Sequence, residues 1–245
     1  MKIEHATTST LGALWGRIEQ ELKQATHLEQ ATQALVTALH AEFDESVVLA
    51  RTFLTVPFDA LPASNQGFVR KLAESAGAQA ELQAQTAVLS LIGTHGQESR
   101  WNDRRNSEGH VGIPLISSAF VEAIPMISRL LKELGVPLTW VDTRDSDIVE
   151  KLGTSTGLFF VANAGEAIDQ EGRKIIAAQD FVAKYGVKSV FGIGGAYPGG
   201  HLLVIVLFCR DLFTRSDAER CAALVNSFKE ATGGFLAQRK IFADA

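Results

Sequence analysis

The chain has 245 residues, 46% hydrophobic and 21% charged, with a formal charge of −5, which excludes a disordered or fibrous chain and gives no general attraction to nucleic acid or to an anionic membrane. Its two cysteines, Cys209 and Cys221, lack metal-type spacing, so a disulfide or metal framework is disfavoured and a cytoplasmic location is expected. Residues 1–15 hold no signal-peptide pattern, and the most apolar run, "LLVIVLFC" at 202–209, is too short to cross a bilayer as a helix.

In chain order, "TTSTLGALWGRIEQELKQ" begins with capping residues and places Leu11, Leu14, Trp15, Ile18 and Leu22 at helical spacing. A second helical pattern runs from Leu28 through Leu35 and Leu39, as a separate helix or as the far half of one bent helix. "SVVLARTFLTVPF" (46–58) is rich in β-branched and aromatic residues and predicts a strand. Residues 64–78 predict a helix with a serine cap, and 86–96 a second strand ending at glycine. Residues 116–135 read as a helix between a serine cap and a glycine stop, kinked or divided by Pro125. Thereafter 136–142 predict a short strand, 146–153 a short helix, "TGLFFVANA" a strand, and 169–186 a segment ending in a helix. Two apolar runs joined by "YPGG" predict a hairpin, and residues 216–242 a long closing helix broken at Gly233–Gly234. The whole reads as one α+β or α/β unit with an antiparallel part in its sheet.

The chemically dense stretch is "SRWNDRRNSEGHVGIPL" (99–115). Arg100, Arg104 and Arg105 suit bidentate capture of a carboxylate or phosphate, Trp101 suits stacking on a planar ligand, and Asn102, Asp103 and His110 suit its orientation. A structural role competes with this: Asp103 paired with Arg105 or Arg173 would pin a long loop while Trp101 covers the core. The six histidines (His5, His27, His40, His95, His110, His201) form no close pair, which disfavours a metal site. A haem needs one axial histidine, so His110 and His95 hold that alternative open. "GIGGAYPGG" lies between strands, not before a helix, and so lacks the setting of a phosphate loop. No G-x-S-x-G supports a hydrolase, and an enzyme acting on an anionic substrate lacks an evident nucleophile.

The element order resembles GAF domains, small-molecule sensors related to PAS domains. The resemblance is carried by "LEQATQALVTALHAEF", "SVVLARTFLTV" and the hairpin with its closing helix. More narrowly, "LSLIGTHGQESRWNDRRNSEGHVGIPL" and "VFGIGGAYPGGHLLVIVLF" resemble GAF-like N-terminal input regions of bacterial sensor histidine kinases and related signalling proteins. It implies an α+β fold with a central, mostly antiparallel sheet and packed N- and C-terminal helices. The expected division is a helix over 1–27 and a sensory domain over 28–240, with an insertion at about 136–187 folding over the sheet as a lid or cover. In such a fold the 99–110 segment roofs a ligand cavity. The expected function is non-catalytic: binding a small molecule of unknown identity or a partner, and relaying the change through the terminal helices to a homodimer partner or to a histidine kinase or other output domain. A pure protein–protein interaction module with a filled core is the alternative. Bilin attachment or methionine-sulfoxide reduction, known in some GAF domains, is disfavoured because Cys209 and Cys221 fall on a core strand and the closing helix.

Overall fold

In the computed structural model, which describes residues 1–107, 109–143 and 156–244, the strands form one antiparallel sheet. They are β1 (Val47–Pro57), β2 (Ala87–Gly96), β3 (Gly112–Pro114), β4 (Gly157–Val161), β5 (Ser189–Ala196) and β6 (Leu202–Cys209), arranged as β3-β2-β1-β6-β5-β4. β6 lies between β1 and β5, with Ala50 opposite Leu207 on one side and Phe191 opposite the same residue on the other. Its uninterrupted apolar sequence follows from that position. Leu203, Ile205, Leu207 and Cys209 enter the core on one sheet face, while Leu202, Val204 and Val206 enter the core on the other.

The first face is covered by α1 (Thr8–Leu22), α2 (Leu28–Glu42) and the closing helix. The first two are separate helices, each capped: Thr7 accepts from the Thr10 N–H, and His27 Nδ1 from the Gln30 N–H at 3.1 Å. α2 runs close over β2 at Gly93, where a Cβ would stand 2.9 Å from the Thr32 carbonyl, and Thr32 donates its hydroxyl to the Ile92 carbonyl at 3.0 Å. Beyond β1, α3 (Ala63–Ser75) begins after Pro62, and Ser64 lies inside it instead of capping it.

The second face is covered by shorter pieces. Pro125 divides the 116–135 segment into α4 (Ser118–Glu122) and α5 (Pro125–Glu133), sitting at the first position of α5 where its missing N–H costs nothing. The strand expected at 136–142 is instead α6 (Thr139–Thr143): the N–H groups of Trp140 and Val141 turn back to Pro137 and Leu138, and among the described residues no strand pairs with this segment. The short helix expected at 146–153 falls outside the described residues. β4 adds the edge strand beside β5, and α7 (Gln179–Tyr185) follows, ending at Gly186 in the left-handed conformation.

The hairpin turn is type II. Pro198 occupies its first central position, Gly199 has φ +92°, and the Gly200 N–H donates to the Tyr197 carbonyl at 3.1 Å. The closing segment departs from expectation. It forms α8 (Arg215–Glu219), held by a Thr214–Asp217 capping box, and α9 (Ala222–Ala237). The break falls at Arg220–Cys221, and Gly233–Gly234 run through α9 as helix.

Candidate functional site

β2 ends at Gly96, and the chain returns to β3 through a loop built on two short 3-10 turns, Ser99–Trp101 and Arg104–Asn106. Asn102 accepts the Gly96 N–H at 3.0 Å, and Asp103 accepts the Arg105 N–H at 2.9 Å, so these two polar side chains shape the loop itself. Trp101 lies against Gly96 so closely that a Cβ there would stand 2.7 Å from the indole. Its other side meets α7 edge-on, with ring centroids 5.7 Å from Phe181 and 4.7 Å from Tyr185.

Between this loop, the second sheet face and the 175–185 segment lies a cavity of about 510 Å³, the size of ordinary small-molecule sites. Leu49 and Arg51 of β1 and Phe208 of β6 form its floor, Ile124 and Met126 one side, and Ile175, Ile176, Phe181 and Tyr185 the other. A narrower space of about 40 Å³, against Phe53, Leu89 and Val206, shares Arg51, His110, Met126 and Phe208 with it.

Of the residues singled out from sequence, Arg100, Trp101 and His110 line the cavity. His110 has φ +56°, a left-handed conformation unusual for a residue with a side chain. Its imidazole is solvent-accessible yet surrounded by protein, as a group on a cavity wall should be, and burial together with the Arg51 charge holds its pKa below the ordinary histidine value. Arg51 donates to the Gly109 carbonyl and to the Ser107 hydroxyl, each at 3.1 Å, tying the floor to the roof.

Arg104 and Arg105 turn the other way. Arg104, 3% exposed, donates to Glu29 at the start of α2 at 2.9 Å and to Asn65 at 3.2 Å. It also meets Asp244 in the C-terminal tail and lies 5.0 Å above the Phe242 ring. Arg105 reaches Glu29 at 2.8 Å and Asp103 at 3.3 Å, whereas Arg173 pairs with Asp169. Glu29 further accepts the Ala243 N–H at 3.0 Å. One loop therefore presents Arg100, Trp101 and His110 to the cavity and clasps the tail and α2 with Arg104 and Arg105.

His95 lies outside the cavity, 3.3 Å from Thr37 and 5.0 Å from the His40 ring. Cys209 and Cys221 are buried with free thiols, and burial pushes the Cys221 thiol up to about 12. Neither lines the cavity. Among the described residues no group of His, Cys, Asp or Glu converges as a metal site, and no helix is long and apolar enough to cross a membrane.

The sequence reading missed Arg51, Met126, Phe181, Tyr185 and Phe208. Arg51 left a signal, a single charge inside the apolar run "VVLARTFLTV"; the others look like ordinary core residues until the fold brings them together.

No known family profile matches the chain, and no curated protein matches its sequence. Among solved structures, the chain is similar to the GAF domain of a phosphoenolpyruvate-protein phosphotransferase from Coxiella burnetii, at 14% identity and a TM-score of 0.49, over 96% of this chain and 99% of that one. A phycoerythrobilin-bound GAF domain from a cyanobacterial phytochrome shows 11% identity and a TM-score of 0.49, over 93% of this chain and 97% of that one. The GAF domain of the Acinetobacter phosphoenolpyruvate-protein phosphotransferase shows 13% identity and a TM-score of 0.48, over 96% and 100%. All three are GAF domains, the family that the sequence resembles.

Proposed function

We propose that this chain is a non-catalytic sensory domain that holds a small molecule in the cavity beneath the 99–110 loop and passes the occupancy of that cavity to its terminal segments. The observation that carries the reading is the double role of the loop. Its Arg100, Trp101 and His110 line the cavity, while Arg104 and Arg105 bind α2 and the tail. A ligand that contacts the first set changes the free energy of the second only if it binds one loop arrangement better than another. The relay therefore predicts that ligand binding alters hydrogen exchange at 240–244, a segment that contributes no described residue to the cavity wall.

Native mass spectrometry of the protein as purified tests for a bound small molecule and reads subunit number, and with it the homodimer expected from sequence, in one measurement. Met126→Trp, which fills the cavity from α5, is expected to abolish binding of any ligand found, while a ligand retained by that variant would place the site elsewhere.

A further inference from the structure

We propose that the cavity is built for an organic monoanion, an apolar and preferably aromatic body bearing one carboxylate that docks on Arg51. The proposal rests on the ligand-binding reading above and adds the chemistry of the head group.

Arg51 is the central observation. Its guanidinium is partly buried on the cavity floor and uses two hydrogen bonds, to Gly109 and Ser107. A guanidinium has five N–H donors, and the Nε of Arg51 is buried with no hydrogen-bond partner among the described residues. Among the described residues no carboxylate lies within ion-pairing distance of it. Arg104, the fully buried arginine, shows the ordinary solution, with Glu29 and Asp244 supplying the opposite charge. An enclosed cation is costly unless an anion compensates it, and no carboxylate among the described residues does so for Arg51.

The rest of the wall agrees. Arg51, His110 and Lys184 face the cavity, with Asp180 as the single carboxylate among the described lining residues. Lys184 sits over the Tyr185 ring, 4.9 Å from its centroid, and is not ion-paired among the described residues. The remaining surface is largely apolar, with Trp101, Phe181, Tyr185 and Phe208 in a connected aromatic group. The planar fork of Arg51, beside this apolar and aromatic surface, matches a planar carboxylate head on an apolar body.

The test compares indole-3-acetate, indole-3-acetamide and tryptamine, which share a ring and differ in the head, by calorimetric or NMR titration of the wild-type chain. The acid is expected to bind about tenfold more tightly than the amide, as one charge-assisted hydrogen bond implies, with the amine weakest. Arg51→Gln is expected to bring acid and amide within about twofold of each other, and Arg51→Lys to restore part of the preference. Equal binding of acid and amide by wild type, or a preference that survives Arg51→Gln, would overturn the anion assignment and leave the cavity reading standing. Failure of all three compounds to bind wild type would overturn both. The wild-type comparison needs no variant, so a poorly folding Arg51→Gln does not remove the test.

Discussion

Arg104 and Arg105 are neighbours in sequence with different surroundings. Arg104 is 3% exposed and Arg105 43%. Removing one partner of a buried ion pair strands the other, so Arg104→Ala is expected to cost about 3–5 kcal/mol in urea unfolding. Arg105→Ala, losing a largely solvated contact, is expected to cost less than about 1 kcal/mol. Nothing in "NDRRN" separates the two, because the difference is made by Glu29 and Asp244, which lie far away in the chain. The histidines make a second prediction at this scale. His110 is held below its ordinary pKa of 6.5 by burial and by Arg51, His95 by burial, and His40 by burial, His95 and Arg210 against an opposing Asp44. Below that ordinary value the unfolded chain binds more protons than the folded one, so stability rises with pH and is lost as pH falls through about 6.5. A series of unfolding midpoints should climb from about pH 5 to about pH 7. His110→Asn, which tolerates the left-handed backbone, should flatten that slope.

Elements were legible where local chemistry decides them. The hairpin was written in Tyr197–Gly200, and Pro125 announced the division between α4 and α5. Legibility failed where the tertiary setting overrode propensity. Val136, Leu138, Trp140 and Val141 have the composition of a strand, but Pro137 starts a helical turn and their apolar groups are buried in the core of the second sheet face. Gly233 and Gly234 read as a break, yet α9 continues through them, supported by burial of Val225, Phe228 and Thr232. The short strand β3 went unseen because "GIP" is too brief to show a period, and its pairing with Val88–Ser90 defines it. Gly96 joins element to site. With 2.7 Å to Trp101 and 2.8 Å to the Val48 carbonyl, Gly96→Ala has no room. It is expected to cost about 1–3 kcal/mol, as other forced insertions do, and to displace the cavity roof. Urea unfolding reads the first effect and loss of ligand affinity the second.

At the scale of the molecule, the order of apolar runs left α+β and α/β open, the GAF resemblance implied α+β, and the walls of the cavity could be read from neither. Its walls come from Arg51, the 100–110 loop, Met126, the 175–185 segment and Phe208, which meet only when the sheet is complete. The arginine-rich stretch drew notice for its composition, and the structure divides it between cavity wall and tail clasp. If the cavity binds only in the folded state, ligand at a hundred times its Kd should stabilise the chain by about 2.7 kcal/mol, seen as a raised thermal midpoint. Arg104→Ala should weaken the link between that occupancy and exchange at 240–244, because it removes the clasp between them.

β6 occupies the middle of the sheet although it is the last strand in sequence. A ribosome must therefore deliver residue 209 before the pair β1–β2 can be joined to β4–β5, and until then each pair has an unsatisfied edge. Such long-range closure makes for slow maturation and a nascent chain prone to sticking to itself. Fragments ending before β6 should accumulate as aggregates or be degraded, and refolding of the intact chain should be slower than that of an all-helical protein of equal length.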